Sequence, residues 1–143
     1  MARRRQRQEL KAPLLPDALL LDAEGLSAAA AGHVRVRAEL ALAERLGASV
    51  HVSAVTLAEA LRGSPRDARL HALLKGVDQE ALTPELGRAA GELLGRTGRS
   101  DATDAIVAVT ARGLGRKVRI LTSDPDDLRA LTAEMNEVLV VPV

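Results

Sequence analysis

The sequence predicts an α/β fold: a central parallel sheet of four or five strands with helices on both faces. Short apolar runs alternate with helix-like stretches along nearly the whole chain. Strands separated by helices pair in parallel, and a parallel sheet must be covered on both sides. No linker, repeat or low-complexity block divides the pattern, so its 143 residues read as one domain, long enough to bury a core.

The strands come first. "ALLLD" (18–22) is an unbroken apolar run that ends in an acid, and "SVHVSA" (49–54) alternates, with Val50 and Val52 on one face. "KVRILTS" (117–123) and "EVLVVPV" (137–143) complete the set, and "VDQEAL" (77–82) is a weaker candidate. Helices lie between them. Residues 33–46 place Val36, Leu40 and Ala43 at helical spacing, with Gly47 as a stop. Residues 55–62 form a short helix before Gly63-Ser64-Pro65, and residues 66–75 another before Gly76. Thr83 caps a helix that has Pro84 at its first position and runs to about Arg96. Residues 101–112 are helical, and Pro125 opens a last helix capped by Asp124.

Composition narrows the function classes. There is no Phe, Tyr or Trp, so the core is Leu, Val, Ala and Ile, and nucleic acid would have no aromatic platform to stack on. There is no Cys, which excludes disulfides, thiolate zinc sites and cysteine nucleophiles. No apolar run is long enough to span a membrane and no signal-peptide core follows the basic start, so a cytoplasmic protein is expected. Residues 1–12 carry five basic residues against Glu9, a net +4, whereas the remainder has 15 basic and 18 acidic residues, a net −3. Residues 1–13 are therefore expected to be a flexible basic arm and residues 14–143 the folded domain. His33, His51 and His71 show no ligand spacing and read as structural.

Open parallel sheets bind ligands beyond the carboxyl ends of their strands, and acids recur there. Asp22 ends the first strand, and Asp124 follows the third in "TSDPDDL". Glu59 lies on the short helix after the second strand. Asp101 and Asp104 are three apart, on one face of the first turns of a helix. Each acid has an ordinary role open to it: Asp22, Asp101 and Asp124 as caps, Glu59 as a solvated residue near Arg62. Asp104 is harder to place that way, because its neighbours in "ATDAIVAVTA" are nearly all small or apolar. Carboxylates gathered at one sheet edge repel unless a cation sits among them. Oxygen ligands without Cys or a His cluster select Mg²⁺ or Mn²⁺, ions suited to phosphodiester hydrolysis.

Asp22 at a strand end, Glu59 on an early helix, "TDAIVAVTARGLG" and then "RILTSDPDDLRAL" form an order that resembles the PIN domain. In particular it resembles the VapC-type toxin ribonucleases of bacterial toxin–antitoxin pairs, over about residues 18–143. The resemblance implies a PIN-like three-layer fold and Mg²⁺- or Mn²⁺-dependent endoribonuclease activity. It also implies a homodimer and a cognate antitoxin that blocks the site. Carried over residue by residue, it assigns catalysis and metal binding to Asp22, Glu59, Asp104 and Asp124, with Asp101 as a further metal ligand. Asp127 takes a supporting place, and Arg62 and Arg112 are candidates for holding backbone phosphates. The sequence departs from the family at Ala23-Glu24, where many members carry Ser or Thr after the first aspartate; that removes a hydroxyl able to hold water or phosphate. Leu128 stands where an aromatic is usual. An alternative therefore stays open: a weakly active or inactive PIN-like module that binds RNA or a protein partner. A dehalogenase-like site would need Asp-x-Asp where Asp22-Ala23-Glu24 stands, and a receiver a late Lys ending its strand, whereas Lys117 begins one.

Overall fold

A computed structural model describes residues 15–143; the expected basic arm at 1–13 lies outside the described residues. Five strands, β1 (Ala18–Leu21), β2 (Ser49–Ser53), β3 (Asp78–Glu80), β4 (Val118–Thr122) and β5 (Val138–Pro142), form one sheet in the order β3-β2-β1-β4-β5. Every pairing is parallel. The weak candidate at 77–82 becomes a three-residue edge strand, too short to offer a long unpaired edge.

Seven helices make the connections: α1 (Ala23–Ala30), α2 (Val34–Leu46), α3 (Ala54–Ala60), α4 (Ala68–Leu74), α5 (Pro84–Thr97), α6 (Ala102–Gly113) and α7 (Pro125–Leu131). Right-handed crossovers place them. The chain moves one way along the sheet from β1 to β3 and the other way from β3 to β5, so the two sets of helices fall on opposite faces. Leu19, Leu21, Val52 and Leu121 pack against Leu26 of α1, Val36 and Ala43 of α2, and Leu70 and Leu74 of α4. Ala18, Leu20, Val118, Ile120 and Val140 pack against α5, α6 and α7 through Leu93, Val107, Val109, Leu128 and Leu131.

The central strand shows why an unbroken apolar run was needed. Leu19, Leu20 and Leu21 are all fully buried, alternating between the two cores. Each contributes roughly 1.5–3 kcal/mol of burial free energy. Without aromatic rings the layers close on small side chains: Ala105, Ala108 and Ala111 line the buried side of α6. Helix α1 occupies a stretch where no element was expected. Its alanines are the best helix formers, and Asp22 caps it. His51 is buried on β2 and bound on both sides, to Ser49 Oγ at 2.6 Å and to Glu80 Oε1 at 2.7 Å, so it ties the edge strand to the sheet. No helix among the described residues is long and apolar enough to cross a membrane.

Candidate active site

The strand order reverses between β1 and β4, the position at which open α/β sheets form a crevice. Asp22 follows β1 and Asp124 lies just past β4, so the crevice is flanked by carboxylates. Register fixes this: Leu21 pairs with Leu121, and the Asp22 amide donates to Leu121 O.

Three helices begin at this edge. Asp22, Asp101 and Asp124 are the N-cap residues of α1, α6 and α7, and all three line one pocket of about 140 Å³. Glu24, Glu59 and Asp104 line it too, with Ala23, Thr103 and Val107. Six carboxylates from four separate stretches of chain thus share one small cavity. Helix N-termini carry partial positive charge, which offsets part of the repulsion.

Each acid is held differently. Asp22 is buried; its Oδ1 accepts from the Gly25 amide at 2.7 Å. Burial pushes its pKa up, and hydrogen bonds from Thr122 and Gly25 pull against that. Asp101 Oδ1 accepts from the Asp104 amide at 3.0 Å. Asp104 is half-buried in the first turn of α6. Burial first, then the charges of Asp101, Asp127, Asp22 and Asp124, push its pKa up to about 7. Glu59 reaches in from α3, and its pKa is also raised, by partial burial and by Asp101, Asp22 and Glu24. Carboxylate oxygens of Asp101, Asp104 and Asp127 lie within 4.8 Å of one another. Carboxylates forced together at neutral pH, without thiolate or imidazole, suit a hard divalent cation.

Residues 19–133 match the PIN domain family. This chain belongs to the PIN domain family. PIN domains are in general nucleases that work with a divalent metal. No curated protein matches the sequence. Among solved structures, VapBC2 from Rickettsia felis, bound to a promoter DNA fragment, superposes with a TM-score of 0.67 at 14% identity, covering 88% of this chain and 98% of that one. A toxin–antitoxin complex from Klebsiella pneumoniae gives 0.67 at 17% identity, over 87% and 99%. FitAcB from Neisseria gonorrhoeae gives 0.56 at 20%, over 85% and 95%. At such identities the likeness is one of fold.

Within this PIN domain, the structure brings Asp22, Glu59, Asp101, Asp104 and Asp124 to one pocket and sets Asp127 beside it. Asp124 differs in one respect from its expected capping role. It stands at the N-cap position of α7, but its carboxylate makes no cap bond, and its own amide is taken by Thr122 Oγ1 at 3.1 Å. The two arginines named as phosphate-holding candidates do not line the acid pocket. Arg112 lies eight residues beyond Asp104 on the same helix, roughly 12 Å along it at 1.5 Å per residue, and lines a separate groove. Arg62 turns its guanidinium back onto Ala58 O at 3.0 Å and Leu61 O at 2.8 Å, closing the end of α3. It stays near enough to Glu59 to offset part of that group's raised pKa.

Four participants escaped the sequence reading. Glu24, noted only as a departure, lines the pocket, and its carboxylate accepts from the Ser123 hydroxyl. Ser123 thus brings a hydroxyl to the site from the β4–α7 turn, where residue 23 lacks one. Gly25 permits a close approach: a Cβ there would lie 2.4 Å from Leu121 O and 3.3 Å from Asp22 Oδ1. Arg99 donates to Asp127 Oδ1 at 3.0 Å and brings a cation next to the acids. The glycine was legible as a cap-plus-three residue next to an acid; Arg99 carried no sequence signal.

Proposed function

We propose that this PIN domain is a VapC-type toxin, an Mg²⁺- or Mn²⁺-dependent endoribonuclease of the cytoplasm that is held by a cognate antitoxin. The single observation behind the reading is the convergence of six carboxylates at the switch point of a PIN fold. Asp22, Glu59, Asp104 and Asp124 would hold the ion, with Asp101 as a further ligand and Glu24 beside them. When bound, such an ion supplies a nucleophile at neutral pH and offsets charge on the scissile phosphate and the departing oxygen. The chain's own groups do the rest. Asp22 is fixed by the Gly25 amide, and Asp104 is fixed on a helix whose first turn Asp101 caps. Arg99 holds Asp127 in place beside them.

The VapC reading and its partners rest on the resemblance in sequence and on neighbours whose structures are toxin–antitoxin complexes. A homodimer follows from the same resemblance. Residues 1–13 are proposed as a basic arm outside the catalytic domain. The departure at Ala23-Glu24 supports one rival, a module that binds RNA or protein without cutting. Incubation of RNA with the full chain and Mn²⁺ separates the two. The nuclease reading expects cleavage that EDTA stops and that Asp104→Asn abolishes. Intact RNA together with tight RNA binding would favour the rival.

A further inference from the structure

A second concavity is separate from the acid pocket. It is a groove of about 810 Å³ between the α5–α6 pair and the chain that follows α7. Four arginines line it: Arg96, Arg99, Arg112 and Arg116. Glu134 and Glu137 are its acids, and Leu93, Leu131 and Met135 lie on its apolar side. Among the described residues, Arg96, Arg112 and Arg116 enter no ion pair. Such a concentration of guanidinium is notable on a body that is otherwise mildly acidic.

One ion pair links the groove to the acid site. Arg99 lines the groove and also pairs with Asp127, whose carboxylate lies within 4.8 Å of those of Asp101 and Asp104. Arg96 near the end of α5, Arg112 near the end of α6 and Arg116 in the turn before β4 complete its basic lining. The acid pocket, at about 140 Å³, is smaller than the roughly 300 Å³ at which ligand pockets begin. It has room for ions and a phosphate, so the rest of a substrate strand must lie elsewhere.

We infer that the groove lined by Arg96, Arg99, Arg112 and Arg116 holds the phosphodiester backbone of a single-stranded RNA segment leading from the acid pocket. This inference rests on the nuclease reading above and adds the path that the strand takes. Guanidinium forks match phosphate oxygens two at a time. In a chain with no aromatic residue, their planes are also the surfaces on which bases can stack. Charge complementarity selects a polyanion, and the adjoining carboxylate site selects one that carries a cleavable phosphate.

The test measures binding of a labelled single-stranded RNA of about twelve nucleotides, within the range that such grooves cover. Full-length protein carrying Asp104→Asn is used with Mn²⁺, so that the RNA stays intact. Adding Arg112→Ala and Arg116→Ala together should weaken binding roughly tenfold at physiological salt and make the salt dependence shallower by about 1.4, at 0.7 per lost contact on a single strand. Arg69→Ala on α4, across the sheet, should leave both values as they were. Unchanged affinity and slope in the double variant would overturn the groove assignment while leaving the nuclease reading intact. So would a double variant that keeps its RNA affinity but loses its hold on a co-expressed protein partner, which would make the occupant a protein. If wild-type chain with Mn²⁺ neither binds nor cuts RNA, the groove and the nuclease reading fall together.

Discussion

Two regions of this PIN domain gather charge, and they do it in opposite ways. Away from the acid pocket, charged groups within the fold have partners. Arg119 on β4 meets Glu39 of α2 at 3.1 Å, with both side chains largely buried, and His51 has Glu80 at 2.7 Å. At the carboxyl edge of β1 and β4, six carboxylates share one pocket lined, among the described residues, by no basic residue, and Arg99 pairs with Asp127 at their margin. Paired charges within a fold are explained by the fold. Gathered like charges are not, because each raises the cost of ionising the next. The contrast marks the acid edge as the place where stability has been given up for chemistry.

The largest expected effect breaks the acid side of the contrast. Asp104→Asn removes one ligand and one repelling charge. RNA cleavage should fall at least a hundredfold, the upper end of losses seen for residues that merely orient metal ligands. Thermal unfolding of the metal-free variant should occur above the wild-type temperature, because repulsion is relieved. A variant that is both less stable and fully active would contradict the assignment.

Gly25→Ala comes next. Its methyl would meet Leu121 O at 2.4 Å, so α1 must move off β4 and take Asp22 with it. Overpacking of this kind costs about 1–3 kcal/mol, read by urea denaturation. Cleavage should drop as well, since Asp22 loses its position against the Gly25 amide. On the paired side, Glu80→Ala leaves buried His51 without its nearest acceptor and should cost about 1–2 kcal/mol. Its cleavage rate should match wild type, because Glu80 lies outside the acid pocket.

The smallest effect is a pH dependence that sharpens the same comparison. Asp104 titrates at about 7 in the folded chain, against 3.8 for the ordinary group, and Asp22 and Glu59 are raised in the same direction. Between those values the folded chain keeps a proton that the unfolded chain has released. Metal-free protein should therefore lose stability as pH rises from about 4 to about 7. Mn²⁺ should raise the melting temperature more at pH 8 than at pH 5, since the carboxylates must be ionised to bind it. A melting temperature that stays level over this range, with or without Mn²⁺, would mean that the acids do not feel one another.

Much of this was legible in the residues, for identifiable reasons. Unbroken runs such as "ALLLD" announce strands buried on both faces, and Thr83-Pro84 and Gly47 mark helix ends by local chemistry. Such signals are local, so they survive in the sequence. The acids were legible because strand ends in parallel sheets have a known address. What depended on long-range packing was not. The reach of Glu24 depends on Ser123 from another segment, and the path of Arg112 depends on how far α6 runs from the pocket. Helix α1 was missed although its alanines favour it. Gly25 sits within it for a contact with β4 that lies nearly a hundred residues away.

The central claim is that the carboxylates after β1 and β4 share one hard dication, and anomalous diffraction from a crystal soaked in Mn²⁺ tests it most directly. The account predicts a peak between Asp22, Asp104 and Asp124 that disappears in Asp104→Asn. A crystal with no peak there, or with manganese bound only elsewhere on the surface, would contradict it.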